Sequence, residues 1–150
     1  MQEILSTELL EKQEKLDCRY LRMAIVWAEN SYCKRRQVGA LIVKDKMIIS
    51  DGYNGTPSGF ENICEDETNT TKPYVLHAEA NAITKVAKSS NSSEGATLYV
   101  TATPCIECAK LIIQAGINRV VYSEAYHCND GRDLLLRAGI ETKFIDIKNY

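Results

Sequence analysis

A chain of 150 residues with 45% hydrophobic and 25% charged residues has the size and composition of one ordinary globular domain, long enough to bury a core without disulfide staples. A formal net charge of -2 and a pI near 5.7 argue against a broad basic surface, and so against a nucleic-acid polymer as partner, because sequence-independent binding to such a polymer needs Lys and Arg to neutralise phosphates. No internal repeat is visible, and nowhere do about 18 apolar residues run together as a membrane-spanning helix requires, so no membrane association is expected.

The start, Met1-Gln2-Glu3-Ile4-Leu5, is acidic and broken by charge, unlike a secretory signal, and the cytoplasm is the expected compartment. Residues 1–16 read as an N-terminal extension of a single domain. Leu21, Ala24, Ile25 and Ala28 recur at helical spacing with Asp17 as a plausible cap, which predicts a helix over 17–30. Val38 to Val43 is a β-branched run, Lys44-Asp45-Lys46 a turn, and Met47 to Ser50 a second apolar run, together a hairpin. Gly52 to Gly59 holds three glycines and a proline, too many breakers for a regular element, and the polar stretch 61–72 reads as the exposed continuation of that loop. A helix begins near His77, with Ile83, Val86 and Ala87 on its apolar side, and fades in the Ser/Asn linker 89–94. Then come a strand over 96–101, a helix over 105–115 closed by Gly116, a strand over 119–123, a helix over 130–138 ending at Gly139 and a strand over 142–147. Strands separated by helices lie parallel, whereas the hairpin is antiparallel. The expected fold is a three-layer α/β/α sandwich around a mixed five-stranded sheet.

Six cysteines in a chain without a secretory signal point to thiols or metal ligands rather than a disulfide framework. Cys18, Cys33, Cys64 and Cys128 are expected as unpaired thiols. Cys105 and Cys108 have ligand spacing.

His77-Ala78-Glu79 at one helix start and Pro104-Cys105-Ile106-Glu107-Cys108 at the next are separated by a single strand. In the layered fold both helix N-termini open at the same sheet edge, so one imidazole nitrogen and two thiolates converge as three ligands, and a catalytic zinc site keeps its fourth position for water. Cys105 and Cys108 lie about one turn apart, and a helix N-terminus favours the thiolate, the ligating form. Glu79, two residues from His77, is placed beside a metal-bound water rather than on the metal, as a general acid and base. Taken separately the pieces are bland: Cys-x-x-Cys also occurs in redox pairs and structural zinc ribbons, and His-x-Glu at any surface helix. Together, in this order, they are the signature of zinc deaminases of nucleobases.

On these motifs the chain resembles the cytidine and deoxycytidylate deaminase superfamily, over roughly residues 21–144. Gln37-Val38-Gly39-Ala40, Gly52-Tyr53-Asn54-Gly55 with Pro57 and Gly59, and Glu94-Gly95-Ala96-Thr97-Leu98-Tyr99-Val100-Thr101 narrow the resemblance to its deoxycytidylate branch. The Gly-Tyr-Asn-Gly loop separates that branch from the tRNA adenosine deaminases, which share the zinc motifs. The resemblance implies a Zn2+ cofactor and hydrolysis of dCMP to dUMP and ammonia. It further implies that Asn54 bonds the sugar hydroxyl, that backbone groups of Ala78 and Thr103 read the base edge and that Tyr126 packs on the pyrimidine. Asn-Gly as a plain turn and Tyr126 as a surface side chain are the competing readings. Lys34, Arg35 and Arg36 form the tight basic cluster, with Lys34 and Arg36 the candidates for the 5′-phosphate and a solvated turn the alternative. Similar proteins form hexamers and respond to dCTP and dTTP, which implies a homo-oligomer and an effector site around Gly52, Tyr53 and Gly55. A second structural zinc is not expected, because His127 is the one further histidine. Another cytosine or adenine substrate, cytidine or tRNA adenosine, and a non-catalytic zinc-stabilised nucleotide-binding module remain as alternatives.

Overall fold

The structure, a computed structural model, describes residues 1–125 and 128–149. Its elements run α1 (Gln2–Ala28), β1 (Gly39–Lys44), β2 (Met47–Tyr53), α2 (Ala78–Ala87), β3 (Thr97–Ala102), α3 (Ile106–Gln114), β4 (Arg119–Glu124), α4 (Asp130–Arg137) and β5 (Glu141–Phe144), with a short 3-10 turn over Ile147–Asn149. The five strands lie in the order β2-β1-β3-β4-β5. The β1 strand pairs antiparallel with both β2 and β3, whereas β3, β4 and β5 run parallel. Asp45 and Lys46, both at positive φ, make the two-residue turn that matches the twist of a hairpin.

The period of two along the strands divides the core. Ile42, Leu98, Val100 and Val120 pack with Ala82 and Val86 of α2, Ile112 of α3 and Leu135 of α4 on one face. Leu41, Val43, Tyr99 and Val121 pack with Leu21 and Ala24 of α1 on the other. The expected three-layer α/β/α sandwich follows from this alternation.

Three expectations need correction. The first helix begins at Gln2, so Asp17 is not a cap. The segment before Asp17 is rich in Glu, Leu, Lys and Gln, which favour helix without a packed face, and it continues α1 while remaining largely exposed. Asp17 itself is fully buried and serves a different purpose: both its carboxylate oxygens accept from the Arg119 guanidinium, at 2.8 and 2.7 Å, and it also accepts from the Tyr99 hydroxyl at 2.6 Å. Second, β2 runs on to Tyr53 and takes in Gly52, read from sequence as loop. Strand and helix approach so closely here that a Cβ on Gly52 would lie 2.7 Å from the Ala82 nitrogen and strike the Ala78 carbonyl oxygen. Third, Cys33 and Cys64 are not unpaired thiols but form a disulfide, with Cα atoms 5.1 Å apart. The chain brings them together over a separation of 31 residues by folding the 54–77 loop back against the segment leading into β1, a proximity no local pattern announces. Cys18 and Cys128 are free, as expected.

Candidate active site

Because α2 precedes the parallel strand β3 and α3 follows it, both helix N-termini lie at the C-terminal end of β3. His77 is the residue before α2, with extended backbone, and Cys105 stands in the same relation to α3. The arrangement sets Nδ1 of His77 3.4 Å from Sγ of Cys105 and 3.3 Å from Sγ of Cys108. One donor atom from each lies within 4.8 Å of the others, a group that can hold a metal ion. An imidazole nitrogen with two sulfurs is a donor set that suits zinc, and three protein ligands leave a coordination position for water.

The electrostatics of the trio describe groups that share protons until a cation replaces them. Hydrogen bonds from Cys108 and His77 pull the Cys105 thiol down to about 3. The same sharing with Cys105, and burial, push Cys108 up, while the hydrogen bond to Cys105 raises His77. Glu79 is 4% exposed and its carboxyl contacts the Cys108 thiol, so it sits beside the trio rather than in it. Burial raises its pKa above the ordinary carboxylate value.

His77, Glu79 and Cys105 line a cleft of about 380 Å³, and Cys108 is buried beside them. Ala78 lines it and, as the first residue of α2, has a backbone N–H with no intrahelical acceptor. Thr103 lines it as well, with its own N–H spent on the Glu124 carbonyl at 2.9 Å. Asn54 reaches the rim from the end of β2. Its Oδ1 accepts from the Val38 N–H and its Nδ2 donates to the Arg36 carbonyl, both at 2.8 Å, which leaves one donor hydrogen and one lone pair of the amide for a ligand.

Of the basic cluster, Arg35 and Arg36 line the cleft and Lys34 does not. Arg36 pairs with Glu124 at 2.9 Å. The signal for Arg35 was its place in the tight Lys-Arg-Arg run; the sequence could not show which of three consecutive side chains turns inward. Glu65 also lines the cleft and is buried, although sequence read its whole neighbourhood as exposed loop. Tyr126 and His127 lie outside the described residues.

Gly52, Tyr53 and Gly55 line a second cleft of about 380 Å³ on the other side of the Asn54 loop, where Lys85 of α2 and Lys88 just past its end supply positive charge. Lys85 pairs with Asp51 at 2.6 Å, and Asp51 also accepts from the Trp27 indole at 3.0 Å. Asn54 borders both clefts.

The family model described as "Cytidine and deoxycytidylate deaminase zinc-binding region" matches residues 14–124. Deoxycytidylate deaminase of Enterobacteria phage T4 is 35% identical, with 86% of this chain and 89% of that protein covered. The human deoxycytidylate deaminase is 42% identical over 74% of this chain and 66% of its own length. Among solved structures, the dCMP deaminase of cyanophage S-TIM5 in complex with dCMP and dUMP superposes with a TM-score of 0.85 at 45% identity, covering 87% of this chain and 97% of that one. A match that runs through both ligand-bearing helix starts, supported by relatives of similar length and fold, means that the chain belongs to the cytidine and deoxycytidylate deaminase family, whose metal is zinc.

Proposed function

We propose that this protein hydrolyses dCMP to dUMP and ammonia, supplying dUMP for thymidylate synthesis, with zinc held by His77, Cys105 and Cys108. The observation that carries the reading is the convergence of these donors around the buried Glu79 at a nucleotide-sized cleft. The likeness to a structure solved with dCMP and dUMP supports the choice of substrate.

Zinc, when bound, supplies a water acidic enough to lose its proton near neutral pH. Glu79 takes that proton and delivers it to the ring nitrogen beside the carbon under attack as the carbon–oxygen bond forms; it then takes the proton left on that added oxygen and passes it to the departing amine, so that the oxygen becomes the product carbonyl, the exocyclic carbon–nitrogen bond breaks and ammonia leaves. Burial suits Glu79 to this traffic, because desolvation raises its pKa and so makes the carboxylate a better proton acceptor than an exposed one. The free N–H of Ala78 donates to the pyrimidine carbonyl oxygen, and the carbonyl of Thr103 accepts from the exocyclic amine. The remaining donor and lone pair of Asn54 meet the sugar hydroxyl, and Arg36 with its neighbours faces the 5′-phosphate.

The second cleft, glycine-walled with two lysines, is our candidate for a dCTP or dTTP effector site, in a homohexameric assembly of single-domain chains. No helix among the described residues is long and apolar enough to cross a membrane, and the cytoplasm, where nucleotide monophosphates are interconverted, is the proposed compartment.

The deciding experiment offers zinc-loaded protein dCMP, CMP, deoxycytidine and tRNA while following loss of the cytosine absorbance and release of ammonia. Turnover of dCMP above the others is expected; its absence overturns the reading.

A further inference from the structure

Residues 33–35 and 64–65 are fastened at three points. The Cys33–Cys64 disulfide joins them covalently, and the Glu65 carboxylate accepts the backbone N–H of Lys34 at 2.8 Å and of Arg35 at 3.0 Å. Cys33, Cys64 and Glu65 are all buried, and bonds to an ionised acceptor are shorter and stronger than neutral ones. These bonds hold the Glu65 carboxyl below its ordinary range, the N–H of Arg35 contributing most.

The fastened segment carries one wall of the catalytic cleft, since Cys33, Arg35, Arg36 and Glu65 all line it. The metal side of the cleft is built differently: His77, Cys105 and Cys108 stand at the starts of α2 and α3, held by the packed core. The stretch between α1 and β1 has no regular secondary structure to fix it. Arg36 has two further ties, its carbonyl to Asn54 and its guanidinium to Glu124, so unfastening 33–35 is expected to act first on Arg35 and through it on Arg36, while the metal ligands and Glu79 stay on their helices.

We propose that the Cys33–Cys64 bridge and Glu65 form a clamp that positions the Arg35-Arg36 wall against the substrate's 5′-phosphate, so that preference for nucleotide over nucleoside depends on the oxidation state of the bridge. This rests on the dCMP reading above. Cys33 and Glu65 are positioning residues, acting through the arginines. Disulfides in reducing compartments are as a rule transient, catalytic or redox-sensing, and Cys33 borders the cleft from which a reductant can approach. A dithiol of the dithiothreitol or thioredoxin class opens the bridge by thiolate attack on one sulfur, giving a mixed disulfide that its second thiol resolves. Cys33 and Cys64 each gain one electron and one proton, and the reductant leaves as its own disulfide.

The test uses the zinc-loaded full chain in four forms: bridged wild type, dithiothreitol-treated wild type, Cys33→Ser/Cys64→Ser, and Glu65→Gln. Each is assayed for kcat and KM on dCMP and deoxycytidine, for calorimetric affinity toward dUMP and deoxyuridine, and for thiol and zinc content. Opening the bridge is expected to raise KM for dCMP and weaken dUMP binding at least tenfold, with kcat within about threefold and both nucleosides unaffected. Reoxidation restores the treated wild type and not the serine variant. Glu65→Gln gives a smaller loss of the same kind with the bridge intact, which keeps the test decisive should the serine variant fail to fold. Equal losses on nucleotide and nucleoside, no loss at all, or Cys33 and Cys64 recovered as thiols from protein never exposed to reductant would each overturn the clamp. Bridged zinc-loaded wild type inert toward dCMP would strike the dCMP reading instead, since dUMP affinity still reports on the clamp.

Discussion

The imidazole of His77 and the thiol of Cys108, 31 positions apart in the chain, stand with Nδ1 and Sγ 3.3 Å from each other because an intervening parallel strand returns the chain to the same sheet edge. Each ligand is set at a helix start by a residue of extended backbone, His77 before α2 and Cys105 before α3. The site is thus anchored to the most buried part of the fold, and its neighbour Glu79 is carried on the same rigid helix.

Glu79→Gln separates proton traffic from metal binding. The amide preserves shape but cannot accept and return a proton, and positioned acid–base groups contribute roughly 10²–10⁴-fold to rate. Turnover of dCMP is expected to fall by that order while zinc content, measured by atomic absorption, stays at the wild-type level. Equal activity of the two proteins would remove Glu79 from the reaction.

Removing the metal tests the donor trio. A chelator is expected to abolish turnover and lower the melting temperature, since an ion that binds the folded state alone stabilises it by about 2.7 kcal/mol at a hundredfold excess over its dissociation constant. Added Zn2+ restores both. Cys108→Ser, which replaces a buried soft ligand by a hard one, is expected to lose zinc as well as activity, read by metal analysis and calorimetry.

How far these sites were legible in the sequence depends on how local their signals are. His77, Glu79, Cys105 and Cys108 sit in two short motifs whose spacing relative to strand β3 already implies convergence. The three layers followed from the alternation of periods, as in Leu98-Tyr99-Val100, whose side chains go to opposite faces. What the sequence hid is non-local. Asp17 looked like a helix cap because Arg119, its partner, is 102 positions away. Cys33 and Cys64 looked like separate thiols, and Glu65 like surface, because the loop that buries them has no periodicity. Arg35 could not be told from Lys34 by residue type.

The second cleft carries its own reporter. Trp27, the chain's single tryptophan, donates to Asp51, which also holds Lys85, and Lys85 lines the cleft. A triphosphate that draws Lys85 away changes the charge beside the indole. Addition of dCTP or dTTP is therefore expected to shift Trp27 fluorescence saturably, and Lys85→Ala to abolish the shift. A wild-type spectrum indifferent to both nucleotides would remove the effector assignment.

The Asp17–Arg119 pair contributes to the loss of stability in acid. Burial by itself raises the Asp17 pKa, but the Arg119 guanidinium, the Tyr99 hydroxyl and the Gln13 amide outweigh it and hold the carboxyl below its ordinary 3.8. A carboxyl whose folded pKa is depressed contributes stability that is present above the unfolded value and is lost as pH falls through the folded one. The loss therefore begins below about pH 4, as the unfolded chain takes up the proton first. Asp17→Asn leaves Arg119, 14% exposed, without its bidentate partner, and truncating one member of a buried pair costs about 3–5 kcal/mol. The variant is expected to be that much less stable in urea titrations at pH 7, with the gap to wild type closing as both are titrated below pH 4. Because Glu141 still pairs with Arg119 at 3.0 Å, the cost should fall toward the lower end of that range. A variant as stable as wild type at pH 7 would mean that the buried pair fixes the register of α1 on the sheet without adding net stability.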